Sequence, residues 1–117
     1  MRLNYALSVI LEIHGEHDYA HDYGTCGLMW DWLHEHNDPF YIQRDKELWI
    51  MHIMGIKKTI TIHHIGYDDN VTTLSNYMTG HSLNEVLIKA VIQCSKNLAP
   101  ELLDYSDIDL SAFEGRV

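Results

Sequence analysis

Cysteine, proline, positive charge and long apolar runs are all scarce in this chain, and each scarcity closes off an architecture. The two cysteines, Cys26 and Cys94, lie far apart, each inside an apolar pattern. That is the usage of buried thiols in a reducing compartment, not of a disulfide framework. No stretch stays apolar long enough to cross a bilayer. The start, "MRLNYALSVILEIHGEHD", has one Arg, and its apolar part runs straight into charge without an A-x-A-like site. No signal peptide is therefore expected, and the cytoplasm is the expected compartment. The chain also lacks G-x-S-x-G, a P-loop, a Gly-rich nucleotide fingerprint, H-E-x-x-H and any closely spaced Cys pair.

Positive charge is the most informative shortage. From Leu3 to Gln43 there is no Lys or Arg, while Glu12, Glu16, Asp18, Asp22, Asp31, Glu35 and Asp38 all fall there. After Lys96 the bias returns with Glu101, Asp104, Asp107, Asp109 and Glu114 before Arg116, and the net charge is −9. Direct binding to nucleic acid is thereby disfavoured, because few cations are present to displace counterions from phosphates. A surface of this sign suits a basic protein partner, a cation or simple solubility.

What is present is enough for a fold. An apolar fraction of 46% argues against disorder. The length of 117 residues fits one domain, expected as an α+β unit over residues 1–100 with an acidic C-terminal tail over 101–117. Residues 3–13 carry two competing periods. Leu3, Tyr5, Leu7, Val9, Leu11 and Ile13 alternate as in a strand, while Leu3, Ala6, Leu7, Ile10 and His14 recur as in a helix. The fuller alternation and the β-branched pair Val9–Ile10 favour a strand, with a helix as the alternative. Thr25 can cap a helix over about residues 26–37, stopped by Asn37-Asp38-Pro39. "ELWIMHIM" and "KKTITIHHI" predict a β-hairpin over about 47–54 and 57–65, followed by "GYDDN" as a loop. Ser82 and Glu85 form a capping box before a stripe of Leu83, Val86, Leu87, Ala90, Val91 and Cys94, which predicts a helix over about 83–97. The fold class that follows is a small α+β sandwich, a hairpin packed by two helices.

The run "LMWDWLHEH", then "ELWIMHIMGIKKTITIHHI", then a polar loop and "SLNEVLIKAVIQC", resembles the phage ABA sandwich domain family, small α-β-α proteins of bacteriophages and prophages. The resemblance extends from about Cys26 to Ser95. Ala90 and Cys94 stand at the small-residue places of the family's closing helix. Its Arg-Ala-Ala-Leu-like run is replaced here by "LIKAVIQC", and its characteristic Pro is missing. The resemblance implies a fold, a phage or prophage setting in the host cytoplasm, and an accessory protein that acts on host proteins. It implies no catalytic residues.

Nine histidines raise the question of metal or acid–base chemistry. On a helix His14, His17 and His21 fall at i, i+3 and i+7, with Asp18 at i+4 from His14 and Asp22 beside His21. Such donors can hold a divalent transition metal. Gly15 and Gly24 interrupt the segment, and it lacks an apolar stripe, so a solvated acidic loop is the competing reading. His34 and His36 suit the end of the first long helix. His63 and His64 point to opposite faces of a strand, and His52 and His64 are candidate cross-strand neighbours. No serine lies near an evident base, and buried thiols are inert, so the pattern points away from an enzyme.

Trp30 and Trp32 point about 200° apart on a helix, so one of them is expected at the surface. Together with Asp31, Glu35, Tyr19, Asp22 and Tyr23, Trp30 has the composition of an aromatic anchor with an acidic rim. The expected function is protein–protein contact that blocks a host or partner protein with a basic surface. The alternatives are a metal-binding protein or metal-dependent enzyme using His14, His17, Asp18 and His21, and a homo-oligomer joined through the N-terminal element.

Overall fold

Among the described residues the chain forms three α-helices and five strands. A computed structural model of the chain describes residues 1–36, 40–53, 58–64, 67–73 and 76–113. The helices are α1 (Leu3–Leu11), α2 (Cys26–His36) and α3 (Leu83–Leu98). The strands are β1 (Phe40–Asp45), β2 (Leu48–Ile53), β3 (Lys58–His64), β4 (Tyr67–Thr73) and β5 (Asn76–Gly80). The chain is thus α+β, as the patterning predicts.

α3 is the centre of the body. It touches β2 and β5 on one side and α1 and α2 on the other. It therefore buries Val86, Leu87, Ile88, Ala90, Val91 and Cys94 together, wider than a single stripe. Its first turn is fixed as the capping box predicts, with Ser82 Oγ accepting from the Glu85 N–H at 3.1 Å.

The N-terminal element is a helix, which corrects the strand expected over residues 3–13. A strand would have sent Tyr5 and Val9 inward with Leu3 and Leu7. Instead Ala6, Leu7 and Ile10 are buried and Tyr5 is 50% exposed. Only a helix brings Ala6 and Ile10 to the side of Leu3 and Leu7, where α3 covers them. The helix closes at Glu12, in the left-handed conformation at φ 56°. Glu12 and Ile13 donate their N–H groups back to the Val9 and Ser8 carbonyls.

α2 buries Cys26, Met29 and Leu33. Thr25 does not cap it as expected. Its hydroxyl donates backward to the Asp22 carbonyl at 2.7 Å from a 3-10 turn, Tyr23–Thr25. The cap of that turn is the Asp22 carboxylate, which accepts from the Gly24 N–H at 2.9 Å.

The hairpin expected between residues 47–54 and 57–65 is not formed, although both runs are strands. β2 lies between β1 and β5 in an antiparallel sheet ordered β1-β2-β5, while β3 pairs with β4. β2 already has a neighbour on each edge, and β3 takes the strand that follows it at once. That strand includes Tyr67–Asn70, most of the expected "GYDDN" loop. His52 accordingly aligns with Tyr41 and Tyr77, and His64 with Tyr67, so the two histidines are not cross-strand neighbours. The β2–β5 ladder ends at Ile53↔Asn76 and the β3–β4 ladder begins at Lys58↔Thr73. β3 and β4 contact each other and no other element to a comparable extent. The Cα radius of gyration of 15.6 Å exceeds the roughly 13 Å of a compact chain this long, in keeping with an extended ribbon.

The acidic segment after residue 100 packs on the core through Ile108 and Tyr105, while Glu101, Asp104, Asp107 and Asp109 stay exposed. Ile108 is buried, Tyr105 Oη donates to the Ala99 carbonyl at 2.7 Å, and Ser95 Oγ lies 2.8 Å from Tyr105 Oη. The Asp109 N–H donates to the Met1 carbonyl at 2.8 Å.

β5 meets α3 at Gly80 with no room to spare. A Cβ there would lie 2.9 Å from the Val86 nitrogen and 3.1 Å from Glu85 Cβ. Because the first obstacle is backbone, Gly80→Ala should destabilise the fold by about 1–3 kcal/mol. Chemical denaturation checks this, and a midpoint unchanged from the parent would show that β5 can shift freely.

Candidate interaction surface

The segment from Glu12 to Thr25 is polar in sequence yet firmly attached, because its backbone is held by buried side chains of other elements. Tyr19 is fully buried, with its Oη 3.1 Å from Ser8 Oγ, and Ser8 Oγ donates to the Gly15 carbonyl at 2.8 Å. Asn84, buried at the start of α3, donates from one Nδ2 to both the Tyr19 carbonyl (2.9 Å) and the Asp22 carbonyl (2.8 Å). These bonds satisfy acceptors that the fold takes out of water. Tyr19, expected on the contact face, is thus a core residue, and its hydroxyl is tolerated inside because Ser8 meets it.

The four candidate metal ligands are distributed by this attachment. His21 Nδ1 lies 3.0 Å from Asp18 Oδ1, both residues being exposed. His17 meets the Tyr19 ring edge-on at 5.8 Å between centroids. His14 borders a depression with Tyr5, Val9 and Ile13, while Asp18 and His21 border another with Arg2 and Asp109. In that second depression Arg2 pairs with Glu16, and hydrogen bonds from Ser111 hold the Asp109 carboxyl below the usual carboxylate range. Among the described residues, no three His, Cys, Asp or Glu side chains are grouped to hold a metal ion.

The expected contact residues divide along α2. Asp22 and Tyr23 precede its first turn, both exposed, Tyr23 at 70%. Asp31 in the middle of α2 and Glu35 one turn further on are exposed, roughly 12 and 18 Å along the axis from Tyr23. Trp30 and Trp32 are both half-buried against the core, on opposite flanks of the Met29–Leu33 stripe. Trp30 sits edge-on to His34 at 5.2 Å, and Trp32 stacks on His36 at 4.5 Å. His36 also closes its helix, with Nδ1 2.9 Å from the Trp32 carbonyl oxygen. About 140° of helix rotation separates Trp30 from Glu35, so the tryptophan beside Glu35 is Trp32.

Trp32 and Glu35 line a groove of about 340 Å³. Its walls are the last turns of all three helices: Ile10, Leu11 and Glu12 after α1, Trp32, Glu35 and His36 from α2, and Ser95, Leu98, Ala99 and Leu102 from α3 and beyond. Leu98 is 53% exposed and Leu102 47%. Each helix C-terminus carries roughly half a negative charge from its aligned peptides. Glu12 and Glu35 add two carboxylates, and no Lys or Arg lines the groove. The result is an apolar floor under a negative potential. In the sequence Glu12 and Trp32 stand out for charge and aromaticity but not as contact residues, and Leu98 and Leu102 do not stand out. Leu98 extends the α3 stripe one turn past Cys94.

Replacing Asn84 by Ala strands two buried carbonyls, of which Asp22 keeps a second donor in Thr25. Asn84→Ala should cost about 2 kcal/mol and loosen residues 19–22 first. Amide exchange checks the order, and uniform loss of protection along the chain would refute it. Burial, reinforced by the nearby Asp22 carboxylate, pushes the Cys26 thiol above its ordinary value. In the unfolded chain that thiol ionises at about 8.5, so its contribution to stability is complete below that pH. It is lost as the pH climbs through the higher folded value. Cys26→Ala should therefore flatten the alkaline fall in stability, and Asp22→Asn should speed alkylation of Cys26 at fixed pH. An alkylation rate indifferent to Asp22→Asn would remove the carboxylate from the account.

No helix among the described residues is long and apolar enough to cross a membrane. No protein-family model, curated protein or solved structure matches the chain.

Proposed function

We propose that this chain is a small acidic accessory protein that acts in the cytoplasm by protein–protein contact, covering a basic surface of its partner. The observation that carries the reading is the groove at the C-terminal ends of the three helices, where an aromatic side chain and exposed leucines sit among carboxylates with no lining cation. Exposed apolar groups ringed by one sign of charge are the composition of a contact site. Its mechanism is steric and electrostatic blockade. The negative face occupies a basic site on the partner and keeps out the site's own ligand, a nucleic acid being the simplest such ligand. The resemblance of residues 26–95 to the phage ABA sandwich domain family supplies the setting: a phage-encoded protein in the host cytoplasm, directed at a host nucleic-acid-binding or defence factor.

Asp31 and Glu35 form the outward charge of this face, and Tyr23 and Asp22 a second exposed patch at the other end of α2. Exposed charges interact over a Debye length of about 10 Å at 0.1 M salt. Affinity for the partner recovered by pull-down should therefore fall as salt rises. The double reversal Asp31→Lys with Glu35→Lys should slow association more than it speeds dissociation. Retention of no protein at any ionic strength, or binding indifferent to the reversal, would sink the reading.

A further inference from the structure

We infer that the groove between Glu12, Trp32, Glu35, Leu98 and Leu102 receives an amphipathic segment of the partner protein, one apolar side chain flanked by Lys or Arg. This rests on the proposed contact function and specifies the chemistry of the occupant. Two features of the groove select it. The apolar component is set by Leu98 and Leu102, which stand largely in water beside buried Ile10 and Leu11. A leucine-like side chain placed between them removes apolar area from both partners. The cationic component is set by charge. Three helix C-termini, Glu12 and Glu35 all present negative potential to the same opening, and no lining residue supplies a permanent positive charge to offset it.

Trp32 joins the two components. Its ring lines the groove, with one face stacked on His36 at 4.5 Å. A guanidinium or ammonium at the ring, between Glu12 and Glu35, gains a cation–π contact together with two carboxylates. An acidic or neutral occupant gains the leucine contact and meets repulsion or indifference from everything else. A helix laid across the groove with its anchoring side chains inserted would be the helix-in-groove mode of recognition.

The test uses the whole chain and a defined probe, a short amphipathic helical peptide of Leu and Lys. Its controls are the same peptide with Glu for Lys and with Ser for Leu. Titration calorimetry reads affinity, and the indole N–H resonances report which tryptophan is touched. The Leu/Lys peptide should bind and shift Trp32 but not Trp49. The Leu/Glu peptide should not bind, and the Lys/Ser peptide should bind about tenfold more weakly or worse. Glu12→Gln with Glu35→Gln, and separately Leu98→Ser with Leu102→Ser, should each weaken the Leu/Lys peptide by about tenfold. All four side chains are exposed or partly so, and an unchanged thermal transition verifies that the variants fold.

Binding that survives both pairs of substitutions would place the peptide elsewhere on the acidic surface and overturn the assignment. So would concentration-dependent self-association abolished by Leu98→Ser with Leu102→Ser, which would give the groove to a second copy. The two levels of the reading fail separately. A partner that responds to Asp31→Lys with Glu35→Lys, but not to the leucine substitutions, leaves the contact function standing and removes the groove. Failure of both sets removes the contact function itself.

Discussion

The constraint on which the rest of the molecule depends is that α3 is buried on two opposite sides. A helix pressed between a sheet and two other helices cannot keep a solvated face along its length, so its polar residues must find partners within the protein. Asn84, Glu85 and Ser95, its buried polar residues, do so and fasten different parts of the chain. Asn84 holds the backbone at Tyr19 and Asp22, and Ser95 meets the Tyr105 hydroxyl. Glu85, almost fully buried, pairs with Lys89 at 2.8 Å, and Lys89 reaches on to the Thr79 carbonyl at the end of β5. The polar residues of the core are therefore its joints. The loop before α2, the last strand of the sheet and the acidic segment after Pro100 are all registered against one helix.

The same arrangement explains why the surface is acidic where it is. Three of the cations that might have balanced it are engaged elsewhere, while Lys96 stands exposed in the last turn of α3. Arg2 pairs with Glu16, Lys89 with Glu85, and the Arg44 guanidinium lies 5.3 Å from the Trp49 ring across the β1–β2 ladder. With α3 central, α1 and α2 pack so that all three helices finish at one end, and their dipoles add at that end. The negative potential of the groove thus comes from backbone direction as well as from Glu12 and Glu35. That second source cannot be seen in composition.

Local signals were legible in the sequence and pairing signals were not. The capping box at Ser82–Glu85 and the stripe from Leu83 to Cys94 place α3 correctly, because cap and period are written within a few residues. The stop expected at Asn37-Asp38-Pro39 lies outside the described residues. Residues 3–13 satisfied two periods at once, and the tie was broken by α3, an element some seventy residues away, which burial of Ala6 and Ile10 depends on. The strands from Leu48 and Lys58 were recognisable, yet their partners turn on which edges are already occupied, a property of the whole sheet. Tyr19 shows the same limit at the candidate site. Flanked by His17, Asp18 and His21 it reads as surface, and bonds with Asn4, Ser8 and Asn84, all distant in sequence, hold it inside. The histidines around it are then spread by that anchor over separate parts of the surface.

A groove with exposed leucines is a liability as well as a site. Apolar patches of this kind promote association with whatever is near, another copy of the same chain first of all. Here each copy would bring the same two carboxylates and the same three helix ends to the encounter, and like charges at close range oppose docking. The charge proposed to attract a basic partner therefore also discourages self-association through this face. Both effects weaken together as salt rises, because both are exposed-charge interactions. An acidic rim around an apolar floor is selective for that reason. In the proposed reading it sets the sign of the acceptable partner, and the leucines and Trp32 supply the contact that sign alone would leave weak and non-specific.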